Sequence, residues 1–589
     1  MTDAPLTPFP LDVLMGRIRH EWESRSRIFD LPTARFWAPD PAVDLSFSFL
    51  GRRAATPVGP AAGPHSQMAQ NIVLGWLGGA RLFELKTIQV LDELVINRPC
   101  IDMQTIGYNI EWSQELSVAA SLEEYVKAWM AIHLLRQWEP LVEHLGPNPG
   151  AHVFDMSVGY DLAGISTDKV AGFIEGLIDA RAEIDRLRPQ IPAPFNALPD
   201  LDFPTRVADT VTLSTFHGCP PHEIDQITRH LMTRHGVDVI VKLNPTLLGF
   251  DRVTEIIHGN LGFDEVVVRK EAFDADLQFD QALELIVGLN QFAASNGRRF
   301  GVKLTNTLVV GNHKGFMPDD PMYLSGPPLH VLATALLDRL MAALPGLLGT
   351  EGGPVQVSFS AGVNKENLSE TIGLGVVPAT ICSDLLKPGG YGRLEPMLRR
   401  LSEEMKAASC FDLESWRRHR TELASQAAHP HAPGAHLAQL QTGEPYRKAG
   451  NSKLPRSVDH TLEMWGCVAC NFCVTVCPND AFFRLPTPEG SGMDGRQQYL
   501  LFAELCNECG NCLVFCPEEG DPAVIKPKLF LDRDRFLASS GQGFLVERVG
   551  DEVGVLARPG WEAEVPVLAG LLRAQEGLPV LAEHLAGDR

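Results

Sequence analysis

The sequence predicts an α/β protein in which a (β/α)₈ barrel precedes a small α+β domain built around cysteines. With 589 residues, the chain is long enough for two or three domains. Short β-branched runs alternate with helical stretches between residues 46 and 395, which is the rhythm of repeated βα units. Eight of the twelve cysteines fall between Cys467 and Cys516.

Nine runs are candidate strands, one more than the eight of a barrel. They cover residues 55–62, 82–87, 152–158, 210–215, 238–243, 265–270, 300–306, 355–360 and 379–384. We expect the surplus strand between Asn244 and Gly301, where an additional βα unit is inserted. Apolar residues three and four apart in 121–138 and 279–295 suit the outer helices of a parallel sheet. A doubly wound sheet is the structural alternative.

The remaining segments are assigned by composition. We predict an N-terminal helical extension (1–45), the barrel (46–400), a helical segment and linker (401–455), the cysteine-rich domain (456–540) and a C-terminal α/β tail (541–589). The linker follows from a run rich in Ala, His, Pro and Gly. Its three histidines, His429, His431 and His436, are more typical of solvated linker residues than of a metal site.

Charge and apolar patterning exclude several classes of partner. The formal net charge of −22 would repel nucleic acid and anionic lipid. The N-terminus lacks a basic stretch followed by an apolar core, and no run of about 18 uninterrupted apolar residues occurs, so we expect a cytoplasmic protein without a membrane span. The scattered Cys100, Cys219, Cys382 and Cys410 do not suggest a disulfide framework.

The cysteine-rich segment contains the run C-x₂-C-x₂-C-x₃-C-P twice, at 467–478 and 506–517. In such runs three thiolates bind one cubane and the fourth binds the other cluster. The pattern therefore predicts two [4Fe–4S] clusters, one held by Cys467, Cys470, Cys473 and Cys516 and the other by Cys506, Cys509, Cys512 and Cys477. Structural zinc is the alternative, but zinc needs only two CxxC pairs per site. Two adjacent clusters imply a redox partner at each end.

Segments 56–64 (TPVGPAAGP), 84–90 (ELKTIQV), 108–115 (YNIEWSQE) and 304–308 (LTNTL) resemble the FMN barrels of dihydroorotate dehydrogenases and, more closely, dihydropyrimidine dehydrogenases. The resemblance implies an FMN-dependent dehydrogenase type of barrel. It implies flavin contacts at Ala61, Ala62, Gly63, Lys86, Thr87, Asn109 and Thr305, support from Glu111, and substrate contacts at Asn109, Asn306 and Thr307. A lysine near N1 and O2 would stabilise the anionic reduced flavin.

Three further loops, 324–326, 360–363 and 381–384, resemble those around the FMN phosphate, where barrels often bind phosphate. The implied residues are Ser325, Gly326, Ala361, Gly362, Cys382 and Ser383. The segment KLNPT (242–246) resembles the next flavin lysine of these families and implies Lys242, although Lys303 competes for that position because of the inserted unit.

The resemblance breaks at the catalytic loop. In these families a strand ends in Asn-Leu-Ser followed by Cys or Ser, whereas this chain has Thr212-Leu213-Ser214-Thr215. Thr212 replaces the substrate-binding Asn, and Thr215 takes the acid/base position, where a threonine hydroxyl is a poor proton donor unless it relays a proton. Cys219 and His217 are the better candidates for the displaced role.

Over residues 1–400 the chain most resembles the selenate reductase iron–sulfur subunit family, through segments such as STFHGCPPHE (214–223) and SDLLKPGGY (383–391). Members of that family carry an FAD and pyridine-nucleotide module between barrel and ferredoxin, where this chain has the linker. No strand–GxGxxG–helix unit occurs. We therefore expect electrons from a separate FAD/NAD(P)H-dependent subunit or a ferredoxin.

The favoured function is an FMN- and iron–sulfur-dependent oxidoreductase subunit, similar to dihydropyrimidine dehydrogenase, that acts on a CH–CH bond of a small polar heterocycle. The alternative is a non-catalytic electron-transfer subunit of a larger reductase, which Thr212 and Thr215 favour and Asn109, Asn306 and Thr307 oppose. The sequence does not fix the oligomeric state, and a homodimer is one option.

Overall fold

A computed structural model describes residues 6–574 except 93, 95, 111–112, 216–218, 427–428, 430 and 550–551. Eight parallel strands form the barrel, as the sequence predicts. They are β1 (Val58–Pro60), β2 (Leu82–Glu84), β3 (Val153–Val158), β4 (Thr210–Leu213), β5 (Asp238–Leu243), β6 (Phe300–Leu304), β7 (Gln356–Phe359) and β8 (Ala379–Ile381). From β2 to β8 each strand pairs with the next, and β8 pairs with β1.

The barrel closes between β1 and β2, where the Arg81 N–H donates to the Val58 carbonyl at 3.0 Å. Gly59 makes this approach possible, because a Cβ there would lie 1.5 Å from the Leu82 carbonyl oxygen.

Helices cover the outside of the barrel between successive strands. The principal ones are α1 (Ala69–Leu77), α2 (Val118–Leu135), α3 (Asp168–Ile178), α4 (Ile224–Arg234), α5 (Phe279–Ser295), α6 (Pro327–Ala343), α7 (Leu368–Gly373) and α8 (Leu394–Ala407). Shorter helices are Glu139–Leu145, Leu162–Ile165, Arg181–Leu187, Phe250–Thr254 and Lys270–Ala275. Side-chain caps start α2 and α3: Ser117 accepts from Ala120 N–H, and Thr167 from Val170 N–H.

The surplus strand lies outside the barrel. Only Val267–Val268 of the predicted run 265–270 is a strand, and it pairs antiparallel with Leu308–Gly311. These two belong to a five-stranded sheet at the carboxyl end of the barrel, here named the mouth sheet. Its strands, in order, are Val267–Val268, Leu308–Gly311, Met322–Leu324, Tyr108–Asn109 and Ile101–Asp102.

The C-terminal part contains a second five-stranded sheet. Its strands are β9 (Phe482–Pro486), β10 (Gln497–Phe502), β11 (Lys528–Phe530), β12 (Phe544–Val549) and β13 (Glu552–Ala557), accompanied by helices Phe472–Thr475, Asn511–Phe515, Pro522–Ile525, Arg533–Ala538 and Val565–Arg573. Because β11 pairs with β12, this sheet continues across residue 540, where the tail was expected to begin.

The predicted linker is instead folded onto the barrel. It forms α9 (Leu413–Gln426) and α10 (Ala432–Thr442), with Leu437 and Leu440 of α10 buried. His436 is buried too, and its ring centroid lies 6.0 Å from that of His330 in α6. The Ala, Pro and Gly content suggested a loop, but the apolar residues three apart were the better guide.

An N-terminal helix, Leu11–Arg25, joins barrel and C-terminal part. Its Arg17 forms an ion pair with Asp480 at 2.7 Å, and Phe9 packs edge-on against Phe502 with ring centroids 5.3 Å apart. Buried apolar residues of both parts form one continuous core. Two hairpins, Arg27–Ile28 with Leu31–Pro32 and Phe47–Phe49 with Arg52–Ala54, precede the barrel. Among the described residues, no helix has the length and apolar character needed to cross a bilayer.

Candidate functional site

A cavity opens at the carboxyl ends of the barrel strands, the usual place for the active site of such a barrel. The space within it, open solvent included, is about 1050 Å³, and the mouth sheet contributes part of its wall through Ile101, Tyr108, Asn109 and Tyr323. The predicted residues that line it are Ala61, Ala62, Gly63, Lys86, Thr87, Asn109, Lys242, Thr305, Asn306, Thr307, Ser325, Ala361, Gly362, Cys382 and Ser383. Gly326 lies beside this lining, since a Cβ on Gly362 would fall 2.2 Å from its carbonyl oxygen. Glu111 and His217 lie outside the described residues.

A buried charge network occupies the barrel one layer deeper. Glu84 of β2 forms an ion pair with Lys303 of β6, whose ammonium also donates to Thr380 Oγ1 at 2.7 Å. Lys242 Nζ lies 3.8 Å from Glu84 Oε1. Burial alone would raise the pKa of Glu84, but Lys303 and Lys242 lower it below its usual value. Lys303 is therefore engaged inside the barrel, and Lys242 is the lysine of the two that lines the cavity.

Lys86 supplies a second cation to the cavity. Its side chain is fully buried, and burial lowers the pKa of its ammonium group from 10.5 to about 8. The Lys86 carbonyl accepts from the Tyr125 hydroxyl at 3.0 Å, which fixes the backbone here against α2. The cavity thus presents two lysines to any negatively charged group that enters it.

The alternation of side chains along β4 explains the Thr212 substitution. Thr210 Oγ1 and Thr212 Oγ1 each donate at 2.6 Å to a different carboxylate oxygen of Asp155 in β3. Burial raises the pKa of Asp155 to about 7, even though both hydroxyls stabilise its ionised form. Thr212 therefore serves the barrel interior, and Ser214, two positions further on the same face, lines the cavity.

Neither of the two described acid/base candidates, Thr215 and Cys219, is among the residues that line the cavity. Thr215 Oγ1 donates to the Lys242 carbonyl and accepts from Asn306 Nδ2 at 3.4 Å, so its proton is already used by a backbone acceptor. Cys219 is buried, and burial raises the pKa of its thiol to about 12. An acid/base role for either residue stays a prediction.

Sequence reasoning missed the residues that hold Asn306. Asn306 Nδ2 donates to Asn244 Oδ1 at 2.6 Å, and Asn244 Nδ2 donates to Asp276 Oδ2 at 2.7 Å. Thr246 Oγ1 also donates to Asp276 Oδ2, at 2.5 Å. The inserted segment between β5 and β6 thus positions a cavity-lining amide. Asn244 stands in the KLNPT segment and could have been recognised, whereas nothing in the sequence around Asp276 indicates this role.

The first cysteine run and the last cysteine of the second surround one pocket. Its lining includes Cys467, Cys470, Cys473 and Cys516, and the space within it, open solvent included, is about 300 Å³. The other four thiols also interact: the pKa of Cys512 is raised by burial, by Asp521 and by Cys509, Cys506 and Cys477. Both groupings are those expected from the spacing. No three His, Cys, Asp or Glu side chains within the described ranges are arranged to hold a single metal ion.

The second cysteine run contacts the cavity wall directly. The Cys509 carbonyl accepts from the N–H groups of Cys100 and Ile101, both at 3.0 Å. Asn511 Nδ2 donates to the carbonyls of Leu386 and Val476, at 2.8 and 2.7 Å. Ile101 and Leu386 both line the cavity. Hydrogen bonds therefore join the wall of the cavity to the loop that carries Cys509 and Cys512.

The first cysteine run packs on a glycine-rich barrel loop after β8. Gly390 has φ +47°, and a Cβ there would lie 2.0 Å from the Thr475 carbonyl oxygen, so a larger residue would push the loop away. The Tyr391 hydroxyl donates to the Pro478 carbonyl at 2.9 Å. The segment KPGGY thereby fits the barrel against the helix Phe472–Thr475.

Comparison with protein families identifies this architecture. Residues 29–431 match the family described as "Oxidoreductase YgfK, N-terminal TIM-barrel domain". The chain belongs to this family. Residues 466–519 match the 4Fe-4S dicluster domain, so the C-terminal part is an iron–sulfur domain.

Two curated relatives share the YgfK name. "Putative oxidoreductase YgfK" from Escherichia coli K12 and from Escherichia coli O157:H7 are each 39% identical over 416 residues, covering 67% of this chain and 39% of each relative. This member of the YgfK family thus matches well under half the length of either. Among solved structures, DHODH from Eimeria tenella matches ligand-free (14% identity, 68% of this chain, 96% of that chain, TM-score 0.40) and with ferulenol (15%, 65%, 89%, TM-score 0.41).

The residues of this YgfK-family barrel fit a polar, anionic cofactor. The cavity is concave and is lined by apolar and polar side chains together, as sites for organic ligands are. Two lysines line the cavity, and among the described residues the buried hydroxyl of Thr305 has no hydrogen-bond partner. Around Ser325 the backbone is close-packed: a Cβ on Gly107 would lie 2.3 Å from Ser325 Oγ. These donors and small residues suit a planar ring with a phosphate tail.

Proposed function

We propose that this chain is an FMN- and iron–sulfur-dependent oxidoreductase subunit of the dihydropyrimidine dehydrogenase type. In this proposal the cysteines of the C-terminal part would hold two [4Fe–4S] clusters and the barrel cavity would hold FMN. Together these groups would supply electron transfer and the reduction or oxidation of a CH–CH bond of a small polar heterocycle. One observation carries the proposal: Cys509 and Asn511 are hydrogen-bonded to Ile101 and Leu386, two residues of the cavity wall.

Bound FMN would supply both hydride transfer and single-electron exchange, which joins cluster chemistry to substrate chemistry. Lys86 and Lys242 would offset negative charge on the ring, and Thr305 would donate to it. Ala61 and Gly63 would let the backbone approach the ring face. Ser325 and Ser383, with Gly362, would hold the phosphate.

Asn109, Asn306 and Thr307 would orient the heterocycle, because amides and hydroxyls both donate and accept, as a ring with alternating C=O and N–H groups requires. Asn244 fixes the Asn306 amide through their 2.6 Å hydrogen bond. The mouth sheet would exclude water from this side of the cavity. Among the described residues after β4, Ser214 is the hydroxyl that faces the cavity, and we assign it the relay of the substrate proton.

The four thiols of the pocket around Cys473 would hold one cluster, and Cys477, Cys506, Cys509 and Cys512 the other. The second set lies against the cavity wall, so it is the proximal cluster of the pathway. Arg98 reinforces this junction: its Nη1 lies 2.6 Å from Cys100 Sγ, and it forms an ion pair with Glu115.

The second candidate is a non-catalytic electron-transfer subunit of a larger, selenate-reductase-like complex. The engagement of Thr212 by Asp155 and of Thr215 by the Lys242 carbonyl favours it, because neither hydroxyl is free for substrate chemistry.

Anaerobic purification followed by an absorbance titration with pyrimidines and purines separates the candidates. The catalytic proposal expects about eight irons and one FMN per chain, with the reduced flavin reoxidised by one of these compounds. FMN that none of them reoxidises would favour the electron-transfer subunit, and iron without FMN would refute the flavin site.

A further inference from the structure

A groove separate from the cavity lies where the barrel meets the first cysteine run. The space within it, open solvent included, is about 1400 Å³, and its lining includes Asn471, Thr475, Cys477 and the 388–393 loop after β8. The groove therefore reaches a predicted cluster ligand from the outside of the protein. None of its lining residues belongs to the lining of the barrel cavity.

Cations dominate the exposed surface of this groove. Among the described residues, its charged lining consists of five cations, Arg35, Lys365, Arg393, Arg399 and Arg484, and two acids, Asp30 and Asp480. The side chains of Asp30 and Asp480 are only 4% and 3% exposed. Both are neutralised, Asp30 by Arg484 at 2.9 Å and Asp480 by Arg17 at 2.7 Å. The acids thus contribute little to the potential that an approaching molecule meets.

Three of the remaining cations, Arg35, Lys365 and Arg399, are exposed, whereas Asp384 compensates the charge of Arg393. Glu395 approaches Arg35 to 4.0 Å and Arg399 to 3.6 Å, yet those arginine side chains stay 47% and 58% exposed. Lys365 is exposed as well. Arg393 forms two hydrogen bonds of 2.8 Å with Asp384 and is the most firmly held of the set. We call these cations the basic rim of the groove. The chain has a net charge of −22, so the rim is a local positive patch on an otherwise negative protein.

We infer that the groove is the docking site of an acidic one-electron carrier protein, which passes electrons to the cluster held in part by Cys477. Exposed rim charges of one sign steer an oppositely charged partner and set its association rate. A carrier that docks here brings its redox centre against the helix Phe472–Thr475 and Cys477. The inference rests on the proposed function in one respect, that the clusters take up electrons.

Stopped-flow reduction of the full-length, iron-loaded protein tests the docking site. The probes are a chemically reduced acidic ferredoxin and, separately, photoreduced deazaflavin, a small reductant that needs no protein docking. We expect Lys365→Glu/Arg399→Glu to lower the second-order rate constant for ferredoxin at least tenfold at 20 mM salt and to flatten its salt dependence. Deazaflavin should reduce this variant as fast as the wild type.

The matched control is Arg181→Glu/Arg206→Glu, which makes the same charge change near the amino ends of the barrel strands. These side chains are 69% and 65% exposed, and the control should change the ferredoxin rate less than twofold. The neutral double variant, Lys365→Gln/Arg399→Gln, should give an intermediate rate constant for ferredoxin. Because it introduces no negative charge, it shows whether a low rate in the charge-reversed variant results from misfolding.

Three results would overturn the docking site. They are equal ferredoxin rates in the groove and control variants, a wild-type rate that does not depend on salt, and wild-type protein that deazaflavin reduces but ferredoxin does not. Tight binding of inorganic phosphate in the groove without any effect on the carrier would assign it to a small anion and also refute the inference. Failure of both reductants with wild-type protein would instead refute the proposed electron pathway.

Discussion

Lys86 gives the flavin proposal a pH dependence that can be measured in the protein freed of flavin. Burial lowers the pKa of this ammonium group to about 8, so it loses its charge within an accessible pH range. A lysine with an ordinary pKa near 10.5 would stay charged throughout that range. A ligand that needs the charged form should therefore bind more weakly as pH rises past 8.

The size of the effect follows from the protonated fraction. With a pKa of about 8, this fraction falls from roughly nine-tenths at pH 7 to roughly one-thirtieth at pH 9.5. The FMN association constant should therefore fall by up to about thirtyfold over this range. The flavin phosphate does not confound the trend, because its second pKa, about 6, lies below the range.

Quenching of FMN fluorescence gives the dissociation constant at each pH. Lys86→Met should bind FMN weakly at pH 7 and show little further loss, and Lys86→Arg should remain charged and lose the pH dependence. A wild-type affinity that changes less than twofold between pH 7 and 9.5, or a Lys86→Met variant with the wild-type slope, would refute the placement of Lys86 at the ring.

Three further substitutions test separate parts of the site. Glu84→Gln should destabilise the protein by about 3–5 kcal/mol in urea unfolding, because Lys303 is left buried and unpaired, whereas Thr380→Val removes one hydrogen bond and should cost about 1 kcal/mol. Arg98→Met should lower the reduction potential of the proximal cluster in an EPR-monitored titration, because a positive charge near Cys509 is lost. Arg98→Lys keeps the charge and should have a potential close to that of the wild type. Equal potentials in Arg98→Met and the wild type would contradict this role of Arg98. Ser214→Ala should lower kcat at least tenfold with unchanged FMN content, while Cys219→Ser should stay within about twofold; the reverse pattern would return the proton-transfer role to Cys219.

The barrel was predictable because parallel strands that are buried on both faces leave a strong apolar signal. The sequence did not decide which candidate was surplus, since Val266, Val267 and Val268 form a β-branched run whichever sheet they enter. Pairing with Leu308–Gly311 settles it, and that contact joins residues about 40 positions apart. Long-range pairing of this kind has no local signature.

The cavity lining was recovered to a large extent because small residues and polar pairs follow successive strands. The buried charges and hydrogen bonds beneath the cavity lining were not predicted. Glu84 and Asp155 sit in otherwise apolar strands, and their partners Lys303 and Thr212 come from distant strands. The sequence suggests that Thr212 replaces a substrate-binding Asn, whereas in the structure its hydroxyl donates a hydrogen bond to the buried carboxylate of Asp155.

The contact between cluster domain and cavity also lay beyond sequence reasoning. The cysteine spacing indicates which thiols share a cluster, yet nothing in it places Cys509 against Ile101 or Asn511 against Leu386. Those hydrogen bonds depend on how two segments that are distant in the sequence pack together. They turn a barrel and an iron–sulfur domain into one candidate electron pathway.

The most direct test of that pathway is the rate at which bound FMN is reduced by reduced ferredoxin in iron-loaded protein and in the same protein stripped of iron. The account predicts rapid flavin reduction in the loaded protein, at about eight irons and one FMN per chain, and a rate at least a hundredfold lower after stripping. Equal rates in the two preparations, or loaded protein that binds no FMN, would contradict it.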